Sequence, residues 1–126
     1  MVKVVAAVIE QDGKILACRR KNKDGSPGKW EFPGGKQEPG ETERECLVRE
    51  LREELCLTVR PGEKLETVRH DYGGFSVEVA FYRARVLSGT MRLMVHADVA
   101  WAEKEALPSY DFLEADVEFV KQLAGE

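Results

Sequence analysis

The stretch GETERECLVRELREEL, Gly40 to Leu55, decides how the rest of the chain is read. Pro39-Gly40 interrupts what precedes it, and Thr42-Glu43-Arg44-Glu45 then matches a capping box, with Thr42 as N-cap and Glu45 at the third helical position. The spacing predicts a helix from Thr42 to about Leu55. At roughly 100° per residue, Leu47, Val48, Leu51 and Leu55 fall on one side, while Glu50, Glu53 and Glu54 gather on another. The apolar stripe docks the helix. The acidic stripe is left at the edge of the core, where like charges four residues apart cost about a few tenths of a kcal/mol per pair unless something positive sits among them.

Two kinds of positive charge answer that need. Arg49 and Arg52 give a solvated face laced with ion pairs, the plain structural reading of the pattern. The upstream segment supports a second. Trp30-Glu31-Phe32 is a brief extended piece, and Pro33-Gly34-Gly35 forces an irregular turn whose glycines let main-chain atoms approach a ligand closely. A glycine turn beside a carboxylate-lined helix offers carbonyl and carboxylate oxygens together, the hard ligands preferred by Mg²⁺ or Mn²⁺. Magnesium takes few carboxylates and shares its shell with substrate phosphates, so the pattern points to a phosphorylated ligand and to phosphoanhydride hydrolysis by an activated water.

Around this core signal the chain reads as one α/β domain. It has 126 residues, 43% of them apolar and 33% charged, enough for a single core over residues 1–126. A formal net charge of -4 argues against a broad grip on a nucleic acid polymer or an anionic membrane. No apolar run approaches the ~20 residues that span a bilayer, and the amino terminus lacks a signal-peptide pattern, so the expected location is the cytoplasm. Cys18, Cys46 and Cys56 are odd in number and carry no CxxC pairing, as suits buried, reduced thiols.

Val2 to Glu10 and Lys14 to Arg20 read as strands joined by an Asp12-Gly13 hairpin turn, and KNKDGSPGK as an exposed loop. Leu57 to Arg60, Leu65 to Asp71, Phe75 to Val86 and Val99 to Glu103 are strand-like, with clear alternation in VEVAFYRARV. A second helix is expected from Phe112 to Leu123.

Gly35, Glu41 and the run Arg49-Glu50-Leu51-Arg52-Glu53-Glu54-Leu55-Cys56-Leu57 resemble the Nudix box, G-x(5)-E-x(7)-R-E-U-x-E-E-x-G-U with U aliphatic. The one departure is Cys56, where the family usually has glycine. That glycine helps end the helix and holds no metal, so the departure bears on backbone geometry. The resemblance implies a Nudix α/β/α sandwich with a mixed β-sheet between helices. It also implies that Glu50, Glu53 and Glu54 bind Mg²⁺ or Mn²⁺, that one of them serves as base, and that the carbonyl of Gly34 or Gly35 completes the shell. Arg49 would orient the glutamates by charge-assisted hydrogen bonds, and Glu41 would be an anchor behind the metal ligands or an outer metal ligand.

The likeness continues through CRRK, WEFPGGK, the His96 to Trp101 spacing and the closing FLEADVEFVKQL, and is closest to the MutT-type and CTP pyrophosphohydrolase branch. There it implies that Arg20 lies near the substrate phosphates and that Asp116 faces the nucleobase, with Phe32 and Tyr110 as candidate apolar walls. A bland arginine, a helix-start aspartate and core aromatics are the alternatives. Relatives often supply a further loop glutamate before the His96 to Trp101 segment; this chain has Val95 there. The catalytic water then depends on the helix glutamates, Asp98 or His96, although a lone histidine is more often structural.

The function implied is hydrolysis of a nucleoside triphosphate, cytidine-type or oxidised or otherwise modified, to monophosphate and pyrophosphate, by a monomer or homodimer that sanitises the nucleotide pool. Hydrolysis of another nucleoside diphosphate linked to X, such as ADP-ribose or a nucleotide sugar, is the alternative within the family. A non-catalytic ligand-binding Nudix module stands further off, because this chain keeps all the box glutamates.

Overall fold

A computed structural model describes residues 1–126. Its strands are β1 (Val2–Gln11), β2 (Lys14–Lys21), β3 (Pro27–Glu31), β4 (Gly34–Lys36), β5 (Thr58–Asp71), β6 (Ser76–Ser88) and β7 (Asp98–Glu103). The helices are α1 (Glu43–Leu55), a short 3₁₀ helix (Lys104–Ser109) and α2 (Glu114–Ala124). None is long and apolar enough to cross a membrane.

The sheet runs β3-β2-β1-β6-β5, with β4 added to β1 and β7 to β2. It is mixed, because β1 and β6 run parallel, from Val2 opposite Val77 to Ile9 opposite Ala84, whereas the other pairs are antiparallel. One edge of β1 changes partner along its length: Glu10 and Gln11 pair with β2, while Val4, Val5 and Ala6 pair with β4. The chain therefore splays open beside β1, and the glycine turn enters that opening.

Helices cover both faces. Val5, Ala7 and Ile9 of β1 pack with Leu47, Leu51 and Leu55 of α1, while Ala6 and Val8 face the other way toward Phe119, Val120 and Leu123 of α2. This is why β1 is buried continuously from Val5 to Ile9, and why the alternating β6 sequence is buried on both faces from Val79 to Tyr82. The expected single core is thus two layers, one on each side of the sheet.

Local signals hold where they are strongest. Asp12 and Gly13 have φ of 53° and 77°, the two positive values that a type I′ hairpin needs. The Thr42 hydroxyl accepts from the Glu45 amide at 3.1 Å and the Glu45 carboxylate accepts from the Thr42 amide at 2.9 Å, closing the capping box. The docking stripe differs by one residue: Cys46 is fully buried and Val48 is half-exposed.

Three boundaries differ. The two strands expected at 57–60 and 65–71 are one strand, β5, because register shifts between Pro61, Lys64 and Glu66 absorb the break, and Arg44 hydrogen-bonds the Pro61 and Gly62 carbonyls at 2.9 and 2.7 Å. The loop expected at 21–29 already becomes β3 at Pro27. The closing helix starts at Glu114, since Phe112 bridges to Trp30 and the Leu113 amide donates to the Trp30 carbonyl at 3.0 Å.

Cys18 and Cys46 are buried and Cys56 is half-buried, all free. Burial pushes the Cys18 and Cys46 thiols up, Cys46 to about 12, so both are neutral side chains of the core.

Candidate active site

Next to the opening beside β1 lies a cleft of about 990 Å³, lined by residues from β1, β2, β4, β6, α1, α2 and the connecting loops. Of the residues singled out in the sequence, Arg20, Phe32, Gly34, Gly35, Glu54, Val95, His96 and Asp116 line it. Tyr110 does not: it packs edge-on against Trp30, ring centres 5.0 Å apart. Asp98 does not either, and its carboxylate caps the adjacent Val99 amide at 2.8 Å.

Gly34 and Gly35, expected in an irregular turn, lie instead in strand β4 after a bend at Pro33, and they bring backbone and carboxylates together. Gly35 pairs with Val5, and a Cβ on it would meet the Glu50 carboxylate oxygens at 2.5 and 2.6 Å, so glycine is what allows Glu50 to lie against the main chain. The Gly34 amide donates to Glu54 at 3.3 Å. The Gly35 carbonyl also accepts a weak, 3.6 Å bond from the Cys46 thiol.

Arg49 organises the outer side. Its guanidinium bonds Glu41 at 2.7 and 3.0 Å, Glu50 at 2.9 Å, Glu53 at 3.2 Å and the Lys36 carbonyl at 3.0 Å. The Arg49 hydrogen bonds, joined by the Glu38 amide, hold the Glu41 carboxyl down at about 2. Glu41 therefore stays ionised and fixed to Arg49.

The three box glutamates do not point to one place. Glu50 and Glu53 turn toward Arg49, and Glu54 turns into the cleft against Gly34. No three His, Cys, Asp or Glu side chains are gathered as a ready-made metal shell. The donors nonetheless suit a hard divalent cation: carboxylates on one helical turn and glycine carbonyls beside them, in a group whose charges repel one another. Burial above all, with Glu31 and Glu50 nearby, pushes the Glu54 carboxyl up to about 7, against the opposing pull of His96. A cation held here would offset that penalty and would compete with Arg49 for the oxygens of Glu50 and Glu53.

The cleft wall also includes apolar side chains and one buried acid. Phe32 is 3% exposed and belongs to an aromatic cluster with Phe81, Phe112 and Phe119, yet it also forms part of the cleft wall. Asp116, 6% exposed in the first turn of α2, is pushed up to about 7, chiefly by burial and by Glu31, with the Phe32 amide and Arg20 opposing. Near neutrality it is present both as carboxylate and as neutral acid, so it can accept or donate a hydrogen bond.

Several lining residues were not singled out in the sequence. Glu31, inside the quoted WEFPGGK run, accepts or shares a hydrogen bond with His96 at 2.9 Å and lies 3.6 Å from Arg20. Lys21, Lys23, Lys29 and Lys36 add cations along the rim. Tyr72 and Phe75 stack at 5.2 Å on the β5–β6 turn and close the outer end. The signal for the last pair was their symmetry about Gly73-Gly74, which reads as a turn and gives no hint of what it faces.

The comparisons agree with this geometry. Residues 4–122 match the NUDIX domain. The chain is 38% identical over 117 residues to the CTP pyrophosphohydrolase of Escherichia coli, covering 93% of this chain and 87% of that protein. It is 28% identical over 127 residues to an 8-oxo-dGTP diphosphatase of Haemophilus influenzae, covering 100% and 93%. The solution structure of the Escherichia coli ORF135 protein superposes with a TM-score of 0.84 at 36% identity, over 96% of this chain and 86% of that one. With that match over residues 4–122, with Arg49, Glu50, Glu53 and Glu54 on one helix beside Gly34 and Gly35, and with the sheet between two helical layers, the chain belongs to the Nudix family.

Proposed function

We propose that this protein hydrolyses a nucleoside triphosphate, of cytidine type or carrying an oxidised or modified base, to the monophosphate and pyrophosphate, with Mg²⁺ or Mn²⁺. The observation that carries this reading is that one cleft is lined by three chemically different sets of groups: Glu54 with Gly34 and Gly35, the aromatic Phe32 with the buried Asp116, and Arg20 with four lysines. A metal-bound phosphate chain and a flat, sparsely polar base call for those sets together. The names of the relatives, a CTP pyrophosphohydrolase and an 8-oxo-dGTP diphosphatase, support the same substrate class.

A divalent cation, held by Glu50, Glu53 and Glu54 with a Gly34 or Gly35 carbonyl, would neutralise phosphate charge and acidify a bound water. The chain's own residues do the rest. Arg49 keeps Glu50 and Glu53 on one side of the helix, and Glu41 keeps Arg49 in place. Arg20 and the rim lysines bind the phosphate oxygens. Glu54, inside the cleft, takes the proton as the water oxygen bonds to phosphorus and the bridging P–O bond breaks, releasing pyrophosphate. Asp116 selects the base by accepting from an exocyclic amine or meeting a ring N–H.

The experiment is a steady-state panel of CTP, methylated and hydroxylated dCTP, oxidised dGTP and ADP-ribose with Mg²⁺ at mildly alkaline pH. Pyrophosphate release from a triphosphate, with ADP-ribose at least tenfold poorer in kcat/KM, is the expected result. Turnover of ADP-ribose alone would move the substrate to the linked diphosphates, and no turnover of any member would remove the enzyme reading.

A further inference from the structure

Glu31 stands between two groups that arrive from different parts of the chain. His96 Nε2 lies 2.9 Å from its Oε2, and Arg20 Nη1 lies 3.6 Å from its Oε1. Side-chain exposure rises steadily along this row, 2% for His96, 19% for Glu31 and 54% for Arg20, so the histidine is the fixed end and the arginine the free one. The backbone holds the histidine's loop on both sides. The Met94 amide donates to the Glu54 carbonyl at 3.1 Å, and the Ala97 amide to the Arg19 carbonyl at 2.8 Å.

The ring has no other polar employment. Its Nδ1 is buried without a partner, so Nε2 carries the sole hydrogen bond of a side chain whose burial an apolar residue would achieve at lower cost. A buried imidazole spent on one carboxylate indicates that the position of that carboxylate matters.

We propose that His96 is a positioning residue: by fixing Glu31 it sets the direction of the Arg20 guanidinium, and with it the grip of Arg20 on the substrate's phosphate chain. Without His96, Glu31 is a largely buried carboxylate whose remaining nearby charge partner is Arg20. It then draws the guanidinium inward and occupies donors that otherwise face the cleft. Because the guanidinium presents its donors as a rigid fork, rotation of the fork changes which of them reach a phosphate oxygen. This inference rests on the assignment of Arg20 to the phosphates made above.

The test is a set of variants, His96→Leu, His96→Gln, Glu31→Gln and Arg20→Ala with their pairs, each measured twice. The readouts are KM and kcat on the best nucleoside triphosphate, and affinity for inorganic tripolyphosphate by calorimetry with Mg²⁺ present. His96→Leu and Arg20→Ala should each raise KM and weaken tripolyphosphate about tenfold, with kcat changed far less, the loss of one charge-assisted hydrogen bond. The pair should be no worse than Arg20→Ala alone. His96→Gln, which retains a donor, should stay within about threefold of the wild type.

A soluble His96→Leu protein with unchanged tripolyphosphate affinity, or effects that multiply in the pair, would overturn the proposal. Should His96→Leu not fold, the Glu31→Gln and Arg20→Ala pair decides in the same way: non-additive effects support the relay and multiplying effects overturn it. Failure of wild-type protein to turn over any triphosphate leaves the calorimetric comparison intact, and so counts against the proposed function alone.

Discussion

Arg49 clasps Glu41 with two hydrogen bonds, Nε to Oε2 at 2.7 Å and Nη2 to Oε1 at 3.0 Å, and spends Nη1 on Glu50 and Glu53. One cation thereby ties the loop before α1 to two carboxylates of that helix. The fork geometry is what makes this possible, since an ammonium has no fixed pair of donors to offer Glu41 while reaching two more acids.

Replacement by lysine therefore should not be conservative. Arg49→Lys is expected to lower kcat/KM by about 100-fold, of the size seen when residues that orient metal ligands are lost, and to weaken Mn²⁺ binding measured by calorimetry about tenfold or more. Unchanged Mn²⁺ affinity would mean that Arg49 does not orient the glutamates.

Cys56 closes α1 at φ 59° and ψ 31°, a left-handed conformation that costs a non-glycine residue about 1–2 kcal/mol. Cys56→Gly should stabilise the fold by about 0.5–1 kcal/mol, read as a higher urea midpoint at unchanged slope. A lower midpoint would show that the Cys56 side chain contributes more through its contacts than its backbone costs.

Gly89, by contrast, has no tolerance for a side chain. Its φ is +107° and a Cβ would sit 2.5 Å from the Cys56 carbonyl oxygen, so Gly89→Ala should cost about 2 kcal/mol or more and loosen the loop that carries His96. Melting temperatures of the two proteins check this.

Asp116 links stability to pH. Its carboxyl is raised from 3.8 to about 7, so the folded protein holds a proton that the unfolded chain gives up. The stabilisation is complete below pH 3.8 and is lost as pH rises toward 7, after which it stays lost. Glu54 adds a fall of the same sign. Asp116→Asn removes the Asp116 share, so the decline in melting temperature between pH 5 and 8 should be shallower in the variant by about 5 °C or more. Parallel profiles would show that Asp116 is not carrying its proton to neutral pH.

How much of this was legible in the sequence follows the range of each interaction. Thr42-Glu45 and Asp12-Gly13 act over a few residues, and both were read correctly. The strands expected at 57–60 and 65–71 leave Pro61-Gly62 between them, and Arg44, seventeen residues away, ties down that bend and keeps β5 continuous. Phe112 looked helical by composition, but Trp30 claims it for a bridge. In the site, Arg49, Glu50, Glu53 and Glu54 share one helix, so their proximity is legible from spacing alone. Glu31 and His96 are separated by 65 residues, and no local pattern announces that they meet.

The central claim is that the acids of α1 gather a divalent cation next to a phosphate chain, and anomalous diffraction from crystals containing Mn²⁺ and a non-hydrolysable nucleoside triphosphate analogue tests it most directly. The account expects a manganese peak bounded by Glu50, Glu54 and a carbonyl of the Gly34-Gly35 turn, with the analogue's phosphates beside it and its base toward Asp116. Bound analogue with no peak there, and Glu50 and Glu53 still clasped by Arg49, would contradict it.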